Sequence, residues 1–166
     1  RQAAPRAIAL AADAPGLLAL TVSDAFLVDG HREEFLELIR GPVDLLFCNE
    51  DEARSLLENN DTRTCAETLG QAARRVAITL GAAGALLVED GRLIEVAGVP
   101  TTAVDTTGAG DMFAAGVLFG LTNGMTFQQS AQLATHVASR IVSQMGARLP
   151  GPIPREEAYL LAGLTS

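Results

Sequence analysis

The chain is 166 residues long, 48% hydrophobic, and carries 20 acidic residues against 12 basic ones for a formal net charge of -8. That length holds one domain with a core of ordinary size, and an acidic balance without a basic stripe argues against a nucleic-acid partner. All 12 basic residues are arginines, which excludes a Walker A loop and lysine Schiff-base chemistry together.

Hydrophobic runs and amphipathic windows alternate along the chain, the pattern of an α/β fold with a largely parallel sheet. A helix is expected over residues 1–14 despite Pro5, then a buried strand over 17–23 whose carboxyl edge carries Ser23 and Asp24. An amphipathic helix follows over 31–40, ended by Pro42. The next buried strand, 43–48, delivers Asn49 to its end and leads into a helix over 51–58. A helix over 62–75 precedes a strand over 76–80. Strands at 85–89 and 93–96 flank Asp90 and Gly91, the clearest hairpin signal present. Residues 99–104 lead to a glycine-rich turn, followed by helices over 109–123 and 127–145 that are rich in small residues and suited to close packing. A last short helix is expected over 156–163. No repeat or linker interrupts the series.

Some features point away from chemistry. Cys48 and Cys65 lack Cys-x-x-Cys spacing and read as reduced packing residues. His31 and His136 have no partner at metal-ligand spacing; His31 reads as a surface residue at a helix start. The apolar stretches at 17–22 and 112–121 are too short or too glycine-rich to span a bilayer, and no signal peptide is visible. A cytoplasmic protein without membrane contact is the expectation.

The run from Asp105 through Thr106, Thr107, Gly108, Ala109 and Gly110 to Asp111 is different. Glycines flanking an alanine let a ligand approach the backbone, and the first amides of the following helix lack intrahelical partners. Gly108, Ala109 and Gly110 are therefore candidates to present N–H groups to an anion. Asp111 adds a carboxylate in the same helical turn, a candidate proton acceptor. Cradle and base together are what phosphoryl transfer to a hydroxyl requires. A dinucleotide fingerprint fails, because the next glycine after Gly110 is Gly116. With so few cations, an anionic nucleotide would need this helix terminus and a magnesium ion.

This run resembles the C-terminal signature of the PfkB carbohydrate kinase family, which includes ribokinase and adenosine kinase. Asn49 to Glu52 is similar to the family's Asn-x-x-Glu element, Thr79 to Gly84 to its Thr-x-Gly-x-x-Gly nucleotide loop, and residues 143–150 to the loop near its adenine and monovalent-cation sites. The resemblance implies a ribokinase-like three-layer α/β/α fold. It implies further that residues 1–166 are the C-terminal, nucleotide-binding part of a kinase domain whose N-terminal substrate and lid part is absent. It implies ATP and Mg2+, with Asp111 as base and the turn at Gly108, Ala109 and Gly110 as anion hole. Asn49, Glu52, Thr79, Gly81, Gly84, Thr135 and His136 would serve the nucleotide, and Asp105, Thr107, Ile141 and Gly146 a monovalent cation such as K+.

Each of these residues also has a plain structural reading. Asn49 and Glu52 read equally as a helix N-cap with a dipole-compensating carboxylate. Thr79, Gly81 and Gly84 could form only a turn, while Thr135 and His136 read as packed polar residues. The expected partner is a small-molecule alcohol, a nucleoside (adenosine-like) or a sugar such as ribose or fructose, with a homodimer left open. A non-catalytic nucleotide-binding remnant is the alternative from another class.

Overall fold

The computed structural model of the chain describes residues 6, 11 and 16–164. The helix expected over 1–14 lies outside the described residues, save Arg6 and Ala11. The elements are β1 (Ala19–Thr21), α1 (Ala25–Ile39), β2 (Leu45–Asn49), α2 (Glu50–Leu57), α3 (Thr62–Leu69), β3 (Arg75–Thr79), a 3₁₀ turn (Gly81–Ala83), β4 (Gly84–Glu89), β5 (Arg92–Ala97), α4 (Ala109–Thr122), α5 (Phe127–Val142) and α6 (Arg155–Leu161). The chain divides into two compact units, Arg1–Thr79 with Leu86–Ile94, and Leu80–Ala85 with Glu95–Ser166.

The strands form one mixed sheet in the order β1-β2-β3-β4-β5. β1, β2 and β3 run parallel, with Ala19 opposite Leu45, Leu45 opposite Arg75, and Asn49 opposite Thr79. Leu45, Leu46, Val76, Ile78 and Leu87 are fully buried, as apolar strand runs predict for a sheet covered by helices. The hairpin turns on Asp90 and Gly91, both at positive φ (48° and 78°), the geometry of a two-residue turn matched to strand twist. An Arg75–Glu89 ion pair (2.7 Å) joins the start of β3 to the end of β4. Cys48 and Cys65 are free and buried, and burial, chiefly, holds both thiols above their usual range.

Four sequence expectations shift here. The first strand is short and largely exposed rather than buried, because β1 ends the strand order. Helix α1 begins at Ala25 rather than at residue 31: the Asp24 carboxylate accepts the Phe26 amide (2.8 Å) and caps an extra segment. His31 (φ -143°, ψ 25°) marks the kink where this extra segment joins the expected 31–40 helix, and it is half-buried and paired with Glu34 (3.1 Å) rather than a surface residue. Helix α3 stops at Leu69, short of residue 75. A side chain on Gly70 would lie 2.4 Å from Val88, so the chain passes β4 on a bare backbone before entering β3.

In the second unit α4 and α5 pack closely through the small residues noted in the sequence. A Cβ on Gly116 would lie 2.7 Å from the Ala134 Cα, and one on Gly120 2.4 Å from the Ser130 hydroxyl. Helix α5 starts with a capping box between Thr126 and Gln129. It ends at Val142, three residues earlier than expected, because residues 143–148 are used in a turn against the signature loop. An Arg140–Glu157 ion pair ties α5 to α6. No helix among the described residues is long and apolar enough to cross a membrane.

Candidate functional site

Residues 104–108 are stitched to the end of α5. The Val104 and Asp105 amides both donate to the Val142 carbonyl (2.7 and 3.3 Å). The Asp105 carboxylate accepts the Thr107 amide on one oxygen (2.9 Å) and the Gly146 amide on the other (2.9 Å). Hydrogen bonds from Thr107, then from Gly146, hold this carboxyl below its ordinary range. Gly108 caps α4 at φ +81°, and a side chain there would meet Ala147 at 2.9 Å, so glycine is required on two counts. Asp105, Thr107, Gly108 and Gly146 are thus gathered in one small region.

Of the three amides expected to be free for an anion, one is not. The Ala109 amide donates to the Thr106 carbonyl (3.2 Å), closing the turn that starts the helix, so it is already spent. Met112 is the first residue to bond back to the cap, donating to the Gly108 carbonyl (2.9 Å). Among the described residues the amides of Gly108, Gly110 and Asp111 have no hydrogen-bond acceptor. A Cβ built on Gly110 meets nothing within 4 Å, and the Asp111 side chain is exposed. Free amides at the positive end of a helix therefore open toward solvent beside a carboxylate.

Elsewhere in this unit, Gly81 adopts φ +58° with open space before it. Gly84 is demanded by packing, since a side chain would stand 2.1 Å from the Val96 carbonyl. The Thr135 hydroxyl donates to its own helix at the Gln132 carbonyl (2.8 Å) and is buried, while His136 is half-buried. Ile141 is buried, and its carbonyl accepts the Gln144 amide (3.4 Å). An apolar cavity of about 370 Å³, lined by residues including Met112, Gly116, Phe119, Val137 and Ile153, starts one residue past Asp111. No candidate site residue lines it.

In the first unit Asn49 and Glu52 form a complete capping box. The Asn49 carbonyl oxygen accepts the Glu52 amide (2.8 Å), and the Glu52 carboxylate accepts the Asn49 backbone and side-chain amides (2.9 and 2.8 Å). Glu52 is only 5% exposed, and burial, opposed by the Asn49 hydrogen bond, raises its carboxyl above the usual value. The N-cap reading of this pair holds, whatever further role it has. Thr79 lies at the carboxyl end of β3 in register with Asn49, the edge where ligands sit in parallel sheets.

Sequence reasoning missed the Asp105 carboxylate as a bridge between loops 41 residues apart. Only its local half was signalled, by the Asp-x-Thr spacing of an Asx turn. It also missed that the Asp111 amide stays unspent beside those of Gly108 and Gly110, although the first-turn position implies it.

The family model that matches is the pfkB family carbohydrate kinase, over residues 3–154. A ribokinase from Lactococcus lactis subsp. lactis is 31% identical over 113 residues, covering 68% of this chain and 36% of that one. The crystal structure of a probable sugar kinase from Rhizobium etli superposes with a TM-score of 0.86 at 33% identity, over 96% of this chain and 48% of the other. That of an adenosine kinase from Sinorhizobium meliloti gives 0.83 at 37% identity, over 88% and 45%. The chain spans less than half the length of each. The fold is the ribokinase-like α/β fold.

Proposed function

Since the chain belongs to the pfkB family of carbohydrate kinases, we propose that it carries the phosphoryl-transfer side of an ATP-dependent small-molecule kinase acting on a hydroxyl of a nucleoside or sugar. One observation carries this reading: the unspent amides of Gly108, Gly110 and Asp111 stand beside the exposed Asp111 carboxylate. Amides fixed before the reaction stabilise the oxygens of the transferring phosphoryl without reorganising. Asp111 orients the acceptor hydroxyl and takes its proton as that oxygen attacks the γ-phosphorus and the bond to the bridging oxygen of ADP breaks.

Among the described residues no three metal-ligating side chains converge. That suits Mg2+ carried in on the triphosphate with its own waters better than a resident metal cage. The resemblance of Asn49 to Glu52 to the family's Asn-x-x-Glu element would give Glu52 a water-mediated part in holding such an ion. When bound, Mg2+ neutralises charge on the β- and γ-phosphates. Oxygens of Asp105, Thr107, Ile141 and Gly146 would be the hard donors for an alkali cation such as K+, as the resemblance implies. A cytoplasmic enzyme completes the proposal, with a homodimer left open.

An adenosine-like acceptor is favoured by the 37% identity to the Sinorhizobium adenosine kinase. A sugar acceptor is the second reading, supported by the Lactococcus ribokinase. The test is ADP release by the complete protein with MgATP and adenosine, cytidine, ribose or fructose. Acceptor-dependent ADP release is expected. Nucleotide binding without turnover on any acceptor would favour a non-catalytic protein.

A further inference from the structure

We propose that Asp105 is a positioning residue, whose side chain sets the place of the anion-binding turn by clamping it to the loop after α5. The inference rests on the kinase reading above, and concerns how its amides are aimed. The carboxylate holds both loops: Oδ1 takes the Thr107 amide on its own loop, Oδ2 the Gly146 amide across 41 residues, each at 2.9 Å. Gly146 offers that amide from φ +88°, a conformation that favours glycine.

The two loops also meet one step further on. Gly108 lies so close to Ala147 that a methyl would collide with it at 2.9 Å. A shift of residues 146–147 is therefore felt directly at Gly108, the cap from which the free amides of Gly110 and Asp111 follow. Main-chain bonds from Val104 and Asp105 to the Val142 carbonyl fix the base of the loop. They lie upstream of the turn and leave its tip to the clamp. The clamp is made of protein atoms only, so it operates with or without a bound alkali cation. A group displaced by about 1 Å from a reacting centre can cost on the order of a hundredfold in rate.

The experiment uses the complete protein at saturating MgATP and acceptor. Asp105→Asn keeps an oxygen for Thr107 but turns an NH2 group toward the Gly146 amide, donor against donor. Turnover is measured in potassium buffer and in a buffer whose sole monovalent cation is tetramethylammonium. The expected result is a loss of about ten- to a hundredfold in kcat in both media, relative to the parent in the same medium, with acceptor KM within about threefold. Gly146→Ala attacks the same bond from the other end, and its methyl meets nothing within 4 Å. It should show the same kcat-specific loss, and it decides the matter if Asp105→Asn does not fold. A loss confined to potassium buffer would make Asp105 an ion ligand only and overturn the proposal. So would parental turnover in both variants. A parent inactive on every acceptor would sink the kinase reading, whereas an active parent beside unimpaired variants sinks the clamp alone.

Discussion

Gly108 and Gly110 are two residues apart in one turn, yet alanine should affect them in opposite ways. At Gly110 the backbone is helical and the new methyl enters open space. Reduced freedom of the unfolded chain then adds up to about 0.5–1 kcal/mol, or roughly 1–4 °C in Tm. The methyl, however, occupies the space in front of the free amides, where the phosphoryl group would sit. Loss of one oxyanion donor costs about 10²–10³ in kcat. At Gly108, φ of +81° adds about 1–2 kcal/mol for any side chain. The 2.9 Å approach to Ala147 adds overpacking of about 1–3 kcal/mol. Gly108→Ala should therefore lower Tm by roughly 4–20 °C, at about 2–4 °C per kcal/mol. Thermal unfolding and coupled ADP release on both variants provide the assay. If Gly110→Ala and Gly110→Val fold as well as the parent and turn over at its rate, the cradle lies elsewhere.

Asp111→Asn should reduce kcat by about a hundredfold or more while MgATP affinity, read by calorimetry, stays near the parent value; near-normal turnover would remove Asp111 as the base. Gly120→Ala should destabilise by about 1–3 kcal/mol in denaturant titration, because its methyl would stand 2.4 Å from the Ser130 hydroxyl between α4 and α5. For Glu52 the folded-state pKa lies above the usual 4.5, so the native state binds more protons than the unfolded one as pH rises past that value. Its contribution to stability accordingly declines with rising pH until the folded-state carboxyl has ionised. Glu52→Gln keeps an acceptor for the Asn49 backbone amide but turns an NH2 toward the Asn49 side-chain amide; whatever its fixed cost, it should remove that decline, and identical pH dependence for parent and variant between pH 4.5 and 7 would contradict it.

Strands β2, β3 and β4 were legible because each is a run of apolar residues closed by a polar one, and the hairpin because Asp-Gly at a two-residue turn has few alternatives. Helix ends were less so. The start of α1 depended on whether Asp24 capped it, the end of α3 on whether Gly70 had to pass Val88, and the end of α5 on what residues 143–148 touched. Each is a question about a neighbour that local pattern does not contain. The 37% identity to an adenosine kinase and the matched family model agree with the resemblance read from the signature at Asp105–Asp111.

By itself the sequence determined the chemistry on offer: a carboxylate and glycines in the first turn of a helix, and no lysine anywhere. That is local information, fixed by which residues adjoin. Only the tertiary structure decided which amides remain free, since the Ala109 N–H is consumed by Thr106 while those of Gly108, Gly110 and Asp111 are not. It alone decided, too, that Asp105 grips a loop 41 residues away. Hydrogen-bond capacity belongs to each residue, but how it is spent depends on what the fold brings within about 3 Å.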